Sequence, residues 1–226
     1  MRHIFVLSIT QFTFGLPAAF DIAECADNEF NDWIGAQIRA DLYGWIVPGE
    51  PERAAELAGR DAALSHHAEG IYGAQFVAAA GAALAGGASI PDAVAAAAAV
   101  IPDDSDCAAA SELGRRVAAR GDGPAEIHAA YADLSPVHTV NNLALVVWAL
   151  MRGADDFSLA IGDTVAAGWD TDCNGATVGA LWGLTGRPIP THWSEPWQRR
   201  IQTSLAGVGE MQVDDLIDRT LAICQR

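Results

Sequence analysis

Apolar positions recur along the chain at helical spacing, and short polar, glycine or proline breaks separate the apolar stretches. Residues 70–84 are almost entirely small or apolar and predict a central buried helix, while residues 141–151 predict a second apolar helix. The same spacing predicts helices over residues 33–45, 50–64, 89–100, 105–119, 125–133, 157–167, 174–184 and 213–224.

The breaks between these helices are short. Pro48-Gly49 and Gly86-Gly87 are helix terminators, and residues 121–124 are the clearest loop. Residues 186–196 carry prolines and predict a further loop. Without a repeat, a low-complexity segment or an evident boundary, the pattern predicts an all-α fold, built as a single compact multi-helix domain.

Composition supports a folded helical chain and limits its partners. The 226 residues are 51% hydrophobic and 19% charged, and alanine, the best helix former, is abundant. The formal net charge of −16 opposes binding to nucleic acid and to anionic membranes. It suits a divalent cation, or a polar ligand that arrives with one, although solubility alone would also explain it.

The cysteines and the first residues bear on location. Cys25, Cys107, Cys173 and Cys224 form no CxxC pair and no zinc-site spacing, which predicts a reducing, cytoplasmic environment. The interrupted apolar run at residues 4–20 is short for a transmembrane span. It leaves two alternatives open, a secretory signal or the start of a chain cut from something longer.

The segment with most chemistry is Ala167 to Ala180, in which two carboxylates, Asp170 and Asp172, precede a helix of small residues. Carboxylates are the hard oxygen ligands that Mg²⁺ and Ca²⁺ prefer, and a helix N-terminus steadies negative charge. The simpler alternative is that Asp172 or Asn174 caps the helix and Asp170 is solvated beside it.

Residues 168–179 read GWDTDCNGATVG, and this string resembles the C-terminal metal-binding motif of the ADP-ribosylglycohydrolase family. Weaker similarity to the same family lies at residues 29–41, 60–67, 70–73 and 137–142. The resemblance therefore divides the chain into an atypical N-terminal segment, residues 1–27, and a partial ADP-ribosylglycohydrolase-like helical domain, residues 28–226.

The resemblance implies an all-α hydrolase that uses a binuclear Mg²⁺ site to cleave the bond between ADP-ribose and its acceptor. The substrate would be an ADP-ribosylated protein or a small ADP-ribosyl compound. Asp170, Asp172 and Cys173 would occupy the metal-ligand positions, although a thiol is a poor ligand for Mg²⁺. Asn174 and Gly175 of the motif are predicted to bind substrate, and by the resemblance Asn174 would also help to fix the turn. His138 is the third predicted substrate-binding residue; it precedes a helix, where it could bind a phosphate or simply cap the helix. The resemblance assigns no catalytic base.

The chain departs from the family at its start. Family members carry a GDALG-like segment near their start, followed by an acidic-threonine cluster, and neither is found in this sequence. We therefore expect an N-terminally incomplete domain with a partial metal site. The alternative function is therefore a truncated or degenerate, non-catalytic homologue that binds ligand weakly or needs a partner segment. Outside the motif, the residues considered for ligand contacts or catalysis are His66, His67, Glu69 and His192.

Overall fold

A computed structural model describes residues 26–224, and within them α-helices dominate. A short 3-10 helix at Gln37–Arg39 precedes the first of them. In chain order the helices are α1 (Asp41–Trp45), α2 (Pro51–Ala62), α3 (Ala68–Ala85), α4 (Ile90–Ala98), α5 (Asp106–Ala119), α6 (Ala125–Ala130), α7 (Thr139–Arg152), α8 (Phe157–Ala166), α9 (Thr171–Gly183), α10 (Thr191–Ser194) and α11 (Val213–Cys224). The all-α prediction is confirmed.

Helices α3 and α7 form the centre of the main helical unit, which extends to Gly186. Most residues of both helices are buried, which explains their nearly continuous apolar sequence. Helix α5 packs along α7, and α2 and α4 pack on α3. A Cβ atom at Gly114 of α5 would lie 2.6 Å from the Ala144 carbonyl oxygen, so this glycine permits the close approach of α5 and α7.

One predicted helix, residues 33–45, is wrong in its first part. Trp33 forms an antiparallel bridge with His138, and the Ile34 amide donates to the Val137 carbonyl at 2.9 Å. Helical structure begins only at Gln37, as the 3-10 helix. Pairing with a distant strand-like segment satisfies the backbone groups that a helix would have used, so tertiary contacts override the local helical pattern.

Residues 187–224 form a separate, smaller unit. It contains α10, a 3-10 helix at Glu195–Trp197, the strands β1 (Arg200–Gln202) and β2 (Glu210–Gln212), and α11. The strands are antiparallel, with Ile201 opposite Met211. The predicted loop at residues 186–196 therefore contains α10 and the start of the 3-10 helix, and the small sheet was not predicted from the sequence.

None of the helices in the described range combines the length and apolar content needed to cross a bilayer. The apolar run at residues 4–20 lies outside the described residues, and so does nearly all of the segment 1–27. The proposed boundary between residues 27 and 28 stays a prediction.

Candidate metal centre

The acidic motif lies in a tight turn between α8 and α9. Gly168 has a φ of 85° and Trp169 a φ of 57°, so two successive residues adopt left-handed backbone conformations. Glycine does so freely, whereas for a residue with a side chain this conformation costs about 1–2 kcal/mol. Asp170 follows as the N-cap residue of α9. The turn therefore needs external support at Trp169.

The turn brings together the three residues that were predicted as metal ligands. One ligand atom from each of Asp170, Asp172 and Cys173 lies within 4.8 Å of the other two. Asp170 is buried, with 7% of its surface exposed, and its Oδ2 atom has no hydrogen-bond partner. A buried carboxylate oxygen without a partner is costly unless a cation or water satisfies it, so the donor set fits a small divalent cation.

Helix α9 begins at Thr171, three residues earlier than predicted. Asp172 and Asn174 consequently lie inside its first turns, and the alternative that one of them is the capping residue is wrong. Asp170 occupies the cap position, but its side chain makes no capping hydrogen bond. Its carboxylate is therefore not committed to the helix terminus.

The pKa values of the two carboxyl groups, Asp170 and Asp172, shift in opposite directions. Burial raises the pKa of Asp170, contact with the Cys173 thiol opposes that rise, and the Asp172 carboxyl adds to it. Hydrogen bonding with Asp170 lowers the pKa of Asp172. Burial, with Asp170 and Asp172 nearby, raises the pKa of Cys173 to about 12, so at neutral pH this residue is a thiol. The hard ligands available here are the two carboxylates.

Asn142 of α7 holds the start of α9 in place. Its Oδ1 atom accepts hydrogen bonds from the Asp170 amide at 3.3 Å and from Asn174 Nδ2 at 2.7 Å. Its own Nδ2 donates to the carbonyls of Pro136 at 2.9 Å and His138 at 2.7 Å. Asn142 is fully buried, so this one side chain connects the loop before α7 with the acidic turn.

His128 of α6 contacts the beginning of the same turn. Its Nε2 atom lies 2.8 Å from the Ala167 carbonyl oxygen, and because a carbonyl only accepts, Nε2 is the donor. The imidazole ring also packs on the Trp169 indole, with 4.2 Å between ring centroids and 48° between ring planes. Gly168 and Trp169, the left-handed pair, are thus flanked along the chain by the His128 contact at Ala167 and the Asn142 contact at Asp170.

The predicted substrate-binding residues lie in different surroundings. Asn174 is fully buried, and its Oδ1 atom has no partner. Gly175 is half-buried and faces Val165 of α8. His138 is the N-cap residue of α7, and its Nδ1 accepts from the Val140 amide at 3.2 Å. It therefore caps a helix, and its link to the acidic turn runs through its carbonyl and Asn142.

The other candidates do not join the cluster. The Glu69 carboxylate accepts the amides of Asp106 and Cys107 at 3.2 and 2.8 Å, so it supports the N-terminus of α5. His67 is exposed, and so is His192 in the smaller unit. His66 is buried, and its Nδ1 lies 2.7 Å from the Ser65 hydroxyl, which also accepts from Arg39.

His66 and Asp41 should make stability depend on pH with opposite signs. Burial, reinforced by the Arg39 charge, lowers the pKa of His66 from 6.5 to about 4, so its contribution to stability is complete above pH 6.5 and lost as pH falls through 4. Burial raises the pKa of Asp41 from 3.8 to about 6, so its contribution is complete below pH 3.8 and lost as pH rises through 6. Each shift corresponds to about 3 kcal/mol.

We therefore expect the free energy of unfolding of the wild type to vary little between pH 4 and 6. Urea titrations at a series of pH values should show stability rising with pH in Asp41→Asn and falling with pH in His66→Gln. Substitution of the exposed His192 by Gln should leave the profile unchanged. Parallel slopes in the two buried-site variants would contradict the assignment.

Sequence reasoning did not single out Asn142 or His128. Asn142 carried a signal, because Asn141 and Asn142 lie near the start of an otherwise apolar helix in the sequence, and the structure shows that both are fully buried. A buried asparagine requires partners, so an Asn in such a helix points to a polar junction. His128 carried no such signal, since the short segment around it resembles any exposed helix.

By its fold and its site, the chain is a helical protein in which two neighbouring carboxylates lie in a turn at the N-terminus of a helix. The chain belongs to the ADP-ribosylglycohydrolase family, whose model matches residues 7–224. The match begins well before residue 28, where the resemblance of the sequence to the family begins. No curated protein and no solved structure matches the chain. Members of this family are metal-dependent hydrolases of ADP-ribosyl linkages, and the acidic turn of this chain is a possible metal-binding cluster.

Proposed function

We propose that this chain hydrolyses the glycosidic bond between ADP-ribose and its acceptor in a Mg²⁺-dependent reaction. The observation that supports it is the unpartnered, buried Oδ2 atom of Asp170 within reach of Asp172. Mg²⁺ is commonly held by one or two carboxylates while waters and substrate oxygens complete its coordination. Two carboxylates are therefore enough to hold one such ion.

In this proposal Asp170 and Asp172 hold the metal, and Cys173 remains a neutral neighbour. When bound, Mg²⁺ would orient the ribose hydroxyls and polarise the scissile bond. The family uses two ions, and the donor set described here accounts for one. The raised pKa of Asp170 means that a proton competes for this carboxylate, so metal affinity should increase with pH.

Asn142 and Asn174 hold the turn in the arrangement that the ligands need. Asn174 Nδ2 donates to Asn142, and the buried Asn174 Oδ1 atom has no hydrogen-bond partner. We propose Asn174, Gly175 and His138 as residues that contact substrate near this turn. The substrate class is an ADP-ribosylated protein or a small ADP-ribosyl compound.

The alternative is a non-catalytic homologue that binds its ligand weakly or needs a partner segment. It is favoured by one observation: within residues 26–224 only one group of metal-binding side chains is found, and it has three members. A cytoplasmic location is also proposed, supported by the free thiols of Cys107 and Cys173.

The deciding experiment is a hydrolysis assay on ADP-ribosyl-arginine and ADP-ribosyl-serine substrates, with excess Mg²⁺ or with EDTA. Release of ADP-ribose that EDTA stops and Mg²⁺ restores would support the enzyme. Mg²⁺ binding without release from either substrate would favour the non-catalytic homologue. Release that is equally fast in EDTA would contradict the proposed metal dependence.

A further inference from the structure

We propose that His128 is a positioning residue for the metal site, acting through Trp169 and the backbone of the acidic turn. The inference rests on the proposed function, because it assigns a role to a side chain that contacts the turn and not the reacting atoms. It starts from the backbone: Trp169 is left-handed and immediately precedes the buried carboxylate Asp170.

A side-chain-bearing residue remains left-handed only when its surroundings hold it there. Two contacts from one imidazole do this. The Nε2 atom donates to the Ala167 carbonyl, before the left-handed pair, and the ring packs on Trp169, within the pair. Trp169 is itself half-buried against the main apolar core. The three contacts restrict rotation of the backbone between Ala167 and Asp170.

Asn142 secures the far end of the same turn through the Asp170 amide. With both ends held, the direction of the Asp170 side chain follows from the turn. If the His128 contacts are lost, we expect the segment 167–170 to relax toward ordinary backbone conformations and Asp170 to leave the position that places it beside Asp172. The two carboxylates would then adopt the metal-binding arrangement in a smaller fraction of the molecules.

The test compares full-length His128→Ala, which loses both contacts, with His128→Gln, which keeps an N–H donor at similar reach but no ring. The control is His192→Ala, which removes a different histidine that packs on a neighbouring tryptophan, Trp193, at a centroid distance of 5.6 Å. Mn²⁺ affinity is measured by electron paramagnetic resonance. Amide hydrogen exchange of the metal-free proteins is measured on peptides covering residues 165–175.

We expect His128→Ala to weaken Mn²⁺ binding about 10-fold, as is typical when a residue that orients a ligand is lost. In the same variant, amide exchange should accelerate in residues 165–175 and not in α7. His128→Gln should recover part of the Mn²⁺ affinity and part of the protection from exchange. His192→Ala should match the wild type in both. Activity lost at limiting Mg²⁺ should return at saturating Mg²⁺, which a general loss of stability would not produce.

Unchanged exchange in His128→Ala would overturn the inference, and so would faster exchange with unchanged Mn²⁺ affinity. If the wild type binds neither Mn²⁺ nor Mg²⁺, the proposed function fails separately, and exchange alone then decides whether His128 holds the turn. If His128→Ala does not fold, His128→Phe replaces it, because it keeps the ring and removes the donor.

Discussion

Asp170→Asn should abolish metal-dependent hydrolysis while leaving the metal-free protein at least as stable as the wild type. Asn is uncharged, and burial already disfavours the charged form of Asp170, so the substitution removes a ligand without removing a stabilising charge. We expect Mg²⁺ affinity to fall by at least about 100-fold, since even residues that only orient a ligand are worth 10- to 100-fold.

Calorimetric titration with Mg²⁺ and thermal unfolding with and without Mg²⁺ would measure both effects. At a concentration of 100 times its dissociation constant, a ligand stabilises the folded state by about 2.7 kcal/mol, and this gain should be missing in the variant. Asp104→Asn is the control, because it removes one negative charge from an exposed turn. An Mg²⁺-induced stabilisation that persists in Asp170→Asn would show that the metal binds elsewhere.

Asn142→Ala should have the largest effect on stability, because five hydrogen bonds converge on this one buried side chain, including one from its Nδ2 to Asn141 Oδ1. Its removal leaves the Asp170 amide, the Asn174 amide group and two carbonyls without a partner. Each buried unsatisfied group costs about 1–3 kcal/mol, so we expect a loss of about 3–5 kcal/mol. For a chain of this size that corresponds to a melting temperature lower by about 10 °C.

Thr164→Val is a matched control for this prediction. Thr164 is equally buried, but its hydroxyl donates to the Ala160 carbonyl within its own helix at 2.6 Å. Its loss should cost no more than about 1.5 kcal/mol, as for a typical hydrogen bond. Asn142→Ala should also weaken Mg²⁺ binding, whereas Thr164→Val should not. Equal melting temperatures for the two variants would show that Asn142 is not the junction inferred here.

Much of the helical architecture could be predicted from apolar spacing. The buried helices α3 and α7 were visible as long apolar runs, and the glycine and proline breaks separated most of their neighbours. One exception, residues 33–36, has the composition of a helix but uses its backbone groups against Val137 and His138. Apolar spacing indicates that a segment is buried, but not which segment it pairs with.

The proposed ligands were likewise visible in the sequence, since Asp170, Asp172 and Cys173 lie within four residues and a single turn brings them together. Of the two side chains that hold the turn, Asn142 was visible only as a polar residue in an apolar helix, and His128 was not visible at all. Asn142 bonds Asp170 across 28 positions and His128 bonds Ala167 across 39. Whether such side chains meet depends on how α6, α7 and α9 pack together.

The sequence by itself therefore determined the helical class, the family and the acidic turn, because helix formation and turn chemistry depend on neighbouring residues. Only the tertiary structure decided that Asp170 is buried with an unpartnered oxygen, and that Asn142 and His128 hold its turn from two sides. The physical reason is that burial and side-chain hydrogen bonds between distant segments arise from packing, which local sequence patterns do not encode.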